Sequence, residues 1–181
     1  MNEYPIPEGR KLERARGVFG EIEEVTTLLR ATPGDGATTI APSRLFAHAT
    51  GATTDDPDVQ AVLLRSPATR AAYRRMLESS ARFTLPEAMA ASSGGPAARE
   101  GEGCRIRFER SRAEPNLFFV IVELTDEAAE PPQALIVCDA DDRCRQFPLP
   151  GMRDGIAQMI ADENSDLMRF LGDPKSRAYL R

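Results

Sequence analysis

Residues 116–151 read NLFFVIVELTDEAAEPPQALIVCDADDRCRQFPLPG, and the fold turns on how this stretch is taken. It holds the longest uninterrupted apolar run in the chain, Leu117-Phe118-Phe119-Val120-Ile121-Val122. Such a run is far too short to span a bilayer and suits a strand buried on both faces. A second β-rich run, Ala134-Leu135-Ile136-Val137-Cys138, follows, and aspartates at 139, 141 and 142 supply a turn before residues 143–149 lead back. The pattern predicts a β-meander centred on a strand over 117–124.

Working outward, CRIRFER at 104–110 alternates strictly. Cys104, Ile106 and Phe108 face one way and Arg105, Arg107 and Glu109 the other, as in a half-buried strand near a sheet edge. After Gly151, Asp154 as N-cap and Ile156, Met159 and Ile160 at helical spacing predict a helix. A break at Asn164-Ser165 precedes a second helix through Leu167, Met168, Phe170 and Leu171. The apolar Ala178-Tyr179-Leu180 is expected to dock. This gives an α+β domain over 104–181, its antiparallel meander covered by C-terminal helices.

Upstream, residues 83–103 are rich in Ala, Ser, Gly and Pro, the composition of a linker. Residues 1–82 read as a helical module. Over 10–30 the apolar positions Leu12, Ala15, Phe19, Ile22, Val25 and Leu29 recur every three or four residues, an amphipathic helix whose stripe must dock on its own domain, a partner or a second copy. Ser43 can cap a helix over 44–50 that Gly51 stops. Asp56-Pro57 starts a helix to 65, and Ser66-Pro67 starts another to about 80, each with proline where its missing N–H costs nothing. Val59, Val62, Leu63, Tyr73, Met76 and Leu77 form the expected interior.

The run RLFAHATG at 44–51 with DPDVQAVLLRSPATRAAYRRML at 56–77 resembles the helical N-terminal module of bacterial anti-sigma factors. The zinc-binding form of that module carries His-x3-Cys-x2-Cys across its second break; here Val62, Ser66 and Thr69 stand at those positions. The resemblance therefore implies a zinc-less module that binds a sigma factor. His48 is the sole histidine and no cysteine precedes Cys104, so a four-donor zinc knuckle cannot be assembled there. No metal and no cofactor are expected.

The net charge of −5 and the lack of aromatic platforms beside the arginines make nucleic acid an unexpected partner. Residues 1–14 lack the apolar core of a signal peptide, and no stretch is long and apolar enough to cross a membrane, so the expected location is cytoplasmic. Cys104, Cys138 and Cys144 make an odd count. A hairpin disulfide between Cys138 and Cys144 is open to the chain, though reduced thiols are the commoner state in a cytosolic protein.

For catalysis, no G-x-S-x-G elbow or phosphate loop is present, and His48 reads as a helix-surface residue. The acidic run at 139–142 lacks the glycine and distal glutamate of a calcium loop. Arg105 and Arg107 alternate on one strand and Arg143 and Arg145 on another. If those strands were neighbours, four guanidinium groups would form a carboxylate- or phosphate-binding patch. The reading that results is a non-enzymatic regulatory or adaptor protein acting by protein–protein binding, anti-sigma-like, with another protein or itself as partner. The alternative is a small-ligand-binding protein or enzyme with its site near the Arg pairs.

Overall fold

The computed structural model describes residue 20 and residues 40–53, 56–88, 96, 98–125 and 130–181. The stripe through Phe19, Ile22 and Leu29 lies outside these residues, as do the arm at 1–9 and most of the Ser/Gly-rich run at 92–96. The chain divides into two compact units, Met1–Ser79 and Ser80–Arg181, and is α+β, with helices and antiparallel sheets.

In the first unit three helices are described: α1 (Pro42–Thr50), α2 (Pro57–Arg65) and α3 (Pro67–Ser80). Helix α1 starts two residues earlier than Ser43 would place it. Pro42 takes the first turn after Ala41, which offers no side-chain cap, and Gly51 closes the helix in the left-handed region at φ 82°. Asp56 caps α2 as its sequence predicts, accepting the N–H groups of Asp58 and Val59. Arg44 of α1 donates Nη2 to both Asp56 oxygens at 2.8 and 2.9 Å, tying α1 to the start of α2.

Val59, Val62, Tyr73, Met76 and Leu77 are buried. His48 is not on a helix surface: it is buried, with Nδ1 3.0 Å from the Tyr73 hydroxyl. One face of a nine-residue helix cannot be assigned from spacing when Leu45 and Ala49 on the same side are also core. At the positions of the missing zinc ligands, Thr69 donates its hydroxyl to Ser66 Oγ at 2.9 Å and Val62 packs inside.

The second unit contains β1 (Phe83–Leu85), β2 (Arg99–Gly101), β3 (Cys104–Arg110), β4 (Leu117–Leu124), β5 (Ala134–Cys138), β6 (Cys144–Pro148), β7 (Ile156–Asp162), α4 (Asp166–Gly172) and β8 (Arg177–Leu180). They form two antiparallel four-stranded sheets, ordered β1-β8-β5-β6 and β2-β3-β4-β7. Three expectations are corrected. The stretch read as a linker contributes β1 and β2. The 117–124 strand is central, but its neighbours are β3 and β7, while β5 belongs to the other sheet, so 104–149 is not one meander. The segment read as the first C-terminal helix is β7.

The sequence IAQMIAD admits both periods. The strand wins because Asp154 (φ 51°) and Gly155 (φ 74°) turn the chain back, with reciprocal Arg153–Ile156 backbone bonds of 2.9 Å. That delivers 156–162 to the open side of β4, whose backbone groups need partners. Ala157 and Ala161 are then buried in the core while Ile156, Gln158 and Ile160 point out. The second predicted helix is present as α4, N-capped by Ser165, and Ala178-Tyr179-Leu180 docks as an inner strand.

The core is shared by the inward faces of both sheets, with Ile106, Val120 and Val122 from one and Leu135, Val137 and Leu180 from the other, and by Leu167 and Leu171 of α4. The edges β1 and β2 approach closely, so that a Cβ on Gly101 would run into the Thr84 carbonyl. Arg99 of β2 is only 1% exposed. It donates Nη2 to the carbonyls of Leu171 (2.8 Å) and Asp173 (2.7 Å) and to Ser176 Oγ (2.8 Å), and Nη1 to the Ser176 carbonyl. Burial lowers the Arg99 pKa from its ordinary value, and the charge of Asp173 partly offsets this. Replacing Arg99 by Met keeps the stem but removes the donors to the Leu171 and Ser176 carbonyls. The expected loss is about 2–4 kcal/mol of stability, read as a lower urea midpoint; an unchanged midpoint would show that the guanidinium is dispensable.

Candidate interaction surface

The outward face of the second sheet is a three-by-three array. Its rungs are Arg105–Glu123–Ile156, Arg107–Ile121–Gln158 and Glu109–Phe119–Ile160 across β3, β4 and β7. Strand alternation puts these nine side chains on one face and the core residues on the other. The β3 column is ionic and the other two are mainly apolar.

The two arginines converge on one carboxylate. Arg105 Nε donates to Glu123 Oε2 at 2.9 Å and Arg107 Nε to Oε1 at 2.7 Å, while Arg107 also pairs with Glu109. Hydrogen bonds from Arg107 and Arg105 hold the Glu123 carboxyl below its ordinary pKa, and Glu123 and Glu109 raise that of Arg107. Two cations, Arg105 and Arg107, face two carboxylates, Glu123 and Glu109, so the four-residue cluster is neutral.

Arg143 and Arg145 are elsewhere. They flank Cys144 at the start of β6, the edge strand of the first sheet; Arg143 lies 3.9 Å from Asp141 and Arg145 3.2 Å from Asp166. The four-arginine patch is not formed, because β3 and β6 belong to different sheets. The acidic run is a turn: Asp139 Oδ1 accepts the N–H groups of Asp141 and Arg143, both at 2.9 Å. Among the described residues no group of three or more His, Cys, Asp or Glu side chains is placed to hold a metal ion. None of their helices is long and apolar enough to cross a membrane.

Cys138 and Cys144 are disulfide-bonded across the β5–β6 hairpin, which corrects the expectation of reduced thiols for this pair. Cys104 stays a buried free thiol, and burial pushes it up to about 11, which makes it inert as a nucleophile.

What sequence reasoning missed is the apolar part of the face. Ile156 and Ile160 are 44% and 65% exposed. Ile160 lies opposite Phe119, half-buried and hidden in the apolar run of β4, whereas Ile121 on the same face is itself buried. The signal was the alternation of 156–162, masked by its equally good helical spacing. The free edge of β7 is itself short, because the outward backbone groups of Ile156 are bonded to Arg153. Such a blunted edge discourages strand addition and leaves the side-chain face as the recognition element.

Comparison with known protein families, curated proteins and solved structures finds no match to this chain.

The Glu123 cluster carries a pH signature. Its folded pKa is depressed, so its contribution to stability is present above the unfolded value of about 4.3 and is lost as pH falls through the folded one. Melting temperature should fall on acidification below about pH 4, and Glu123→Gln should be less stable than wild type at neutral pH, with a shallower acid decline. Parallel curves for the two proteins would show that the cluster adds nothing to stability.

Proposed function

We propose that this chain is a non-enzymatic regulatory or adaptor protein that works by binding another protein, with the outward face of the second sheet as a contact surface. The observation that carries this reading is the exposure of Ile156 and Ile160 on a flat face whose charges are already balanced. Such a face suits a broad protein contact, in which an apolar patch is rimmed by polar groups. A small anionic ligand would need convergent donors in a concavity, and Arg105 and Arg107 are already paired with Glu123 and Glu109. The alternative of a ligand site at the Arg pairs therefore gains no support.

The helix–break–helix course of α1, α2 and α3, with breaks at Gly51 and Ser66, supports the anti-sigma resemblance. A bacterial sigma factor is the partner proposed first, and a cytoplasmic location belongs to the same proposal. Leu64, 79% exposed on α2, is available to such a contact.

Full-length protein should be tested against purified sigma factors of its host by calorimetry, with Ile156→Asp/Ile160→Asp and Leu64→Asp variants alongside. The adaptor reading expects binding that one or both variants weaken about tenfold or more, with unchanged melting temperatures; loss of a central apolar anchor costs 1–2 kcal/mol or more. If no sigma factor binds, that partner is withdrawn. If both variants also leave self-association and captured host proteins unchanged, the surface is idle and the adaptor reading falls.

A further inference from the structure

The first sheet carries chemistry that the interaction surface does not use. Cys138 on β5 and Cys144 on β6 are opposite each other in the last rung of their hairpin, and the rung continues to Arg177 on β8. Paired residues in a ladder put their side chains on the same face. The order across the sheet is therefore Arg177, Cys138, Cys144, with β6 as the edge strand beyond which no described strand pairs.

We propose that the Cys138–Cys144 disulfide is a thiol–disulfide exchange site for low-molecular-weight thiols, in which Cys144 is the sulfur attacked and Cys138 the sulfur that leaves. Displacement at a disulfide sulfur runs in line, the nucleophile arriving opposite the departing sulfur. In line with Cys144, the approach comes from outside the edge strand. In line with Cys138, it would come from the β8 side, over the inner strands of the sheet, where Arg177 shares the rung. Exposure agrees: Cys138 is 1% exposed and Cys144 is only half-buried. Arg177 shares the rung and the face of the departing sulfur, with its guanidinium paired to Glu87 at 3.2 Å.

The hairpin does not need the bond for its register. Asp139 N–H donates to the Arg143 carbonyl at 3.0 Å, Asp142 N–H to the Asp139 carbonyl at 3.1 Å, and Asp139 Oδ1 holds two further N–H groups. The cysteines are six positions apart, so the bond closes a short loop, the case in which restriction of the unfolded chain stabilises least. Cys104 lies in the core of the other sheet and offers no competing partner.

The step balances as follows. The thiolate of a small thiol forms a bond to Cys144 Sγ as the Cys144–Cys138 bond breaks. The electron pair departs on Cys138 Sγ, which takes a proton from water. A second thiolate attacks the small-molecule sulfur of the mixed disulfide, releasing Cys144 as thiolate and the small molecule as its own disulfide. Two thiols are oxidised and one cystine is reduced; the reverse sequence re-forms it. A reducing cytoplasm would keep the pair as a dithiol, so the bonded hairpin and a cytoplasmic location are compatible.

The test uses the full chain, untreated by denaturant, with reduced glutathione as the probe. Samples quenched in acid at early times and mapped by peptide mass spectrometry should show glutathione on Cys144 and a free thiol at Cys138. In the reverse direction, glutathione disulfide should modify Cys138→Ser protein at Cys144 about tenfold or more faster than Cys144→Ser protein at Cys138, following thiol exposure. The wild-type mapping needs no substitution, so a variant that fails to fold leaves the test intact. Glutathione found first on Cys138 would overturn the assignment of roles. A disulfide that resists reduction until the protein is unfolded would overturn the exchange site altogether.

Discussion

A guanidinium almost without contact with water sits where β1, β2 and the α4–β8 turn of the second unit meet. Arg99 comes from a three-residue strand, yet its donors reach the carbonyls that end α4 and the buried Ser176 before β8. Taking an arginine out of water is costly, and among the described residues no carboxylate oxygen bonds it. What offsets the cost is a set of oriented acceptors and the negative end of a helix dipole. Ser176 completes the set by turning its hydroxyl to the Phe170 carbonyl at 2.6 Å. Without that cation the Leu171 carbonyl at the end of α4 and the Ser176 carbonyl before β8 would lose the donor they have here. With it, α4 can seat Leu167 and Leu171 in the core and β8 can enter between β1 and β5.

The parts of the fold legible in the sequence are those decided locally. Asp56-Pro57 and Ser66-Pro67 mark helix starts because a cap and a proline act within one turn. The runs at 117–124 and 134–138 are strands because their β-branched and aromatic content suits nothing else at that length, and Asp139 specifies its turn through its own side chain. What the sequence hides is decided at a distance. Strands of three residues such as β1 and β2 carry no periodicity, and a composition of Gly, Ala and Ser disguised them. Residues 156–162 fit two periods, and only the vacancy beside β4 chooses between them. The exchange of neighbours, β4 with β7 and β5 with β8, is invisible to any local signal.

The interaction surface shows the same division. The alternation of Arg105 and Arg107 was readable, but not that Glu123, opposite Arg105 on the next strand, would neutralise both. Arg143 and Arg145 show the same spacing and fall in a different sheet. Ile156 and Ile160 looked like a helix stripe turned inward and are instead the apolar margin of an outward face. Residue types identified the chemistry available, whereas pairing register decided which of it remains open to a partner.

The two sheets differ in how far apart in the chain their partners lie. β3 and β4 are joined by a short turn and can zip together early. β1, by contrast, pairs with β8, Phe83 opposite Leu180, and everything between them must be made and placed first. Closing so long a loop is paid in entropy before any contact rewards it. The first sheet is therefore the late event of folding, and until β8 arrives β1 has no strand partner in its sheet and β5 has only β6. In that half-built form the bare backbone edges of β1 and β5 are what the chain would offer to chaperones and to pairing with other chains.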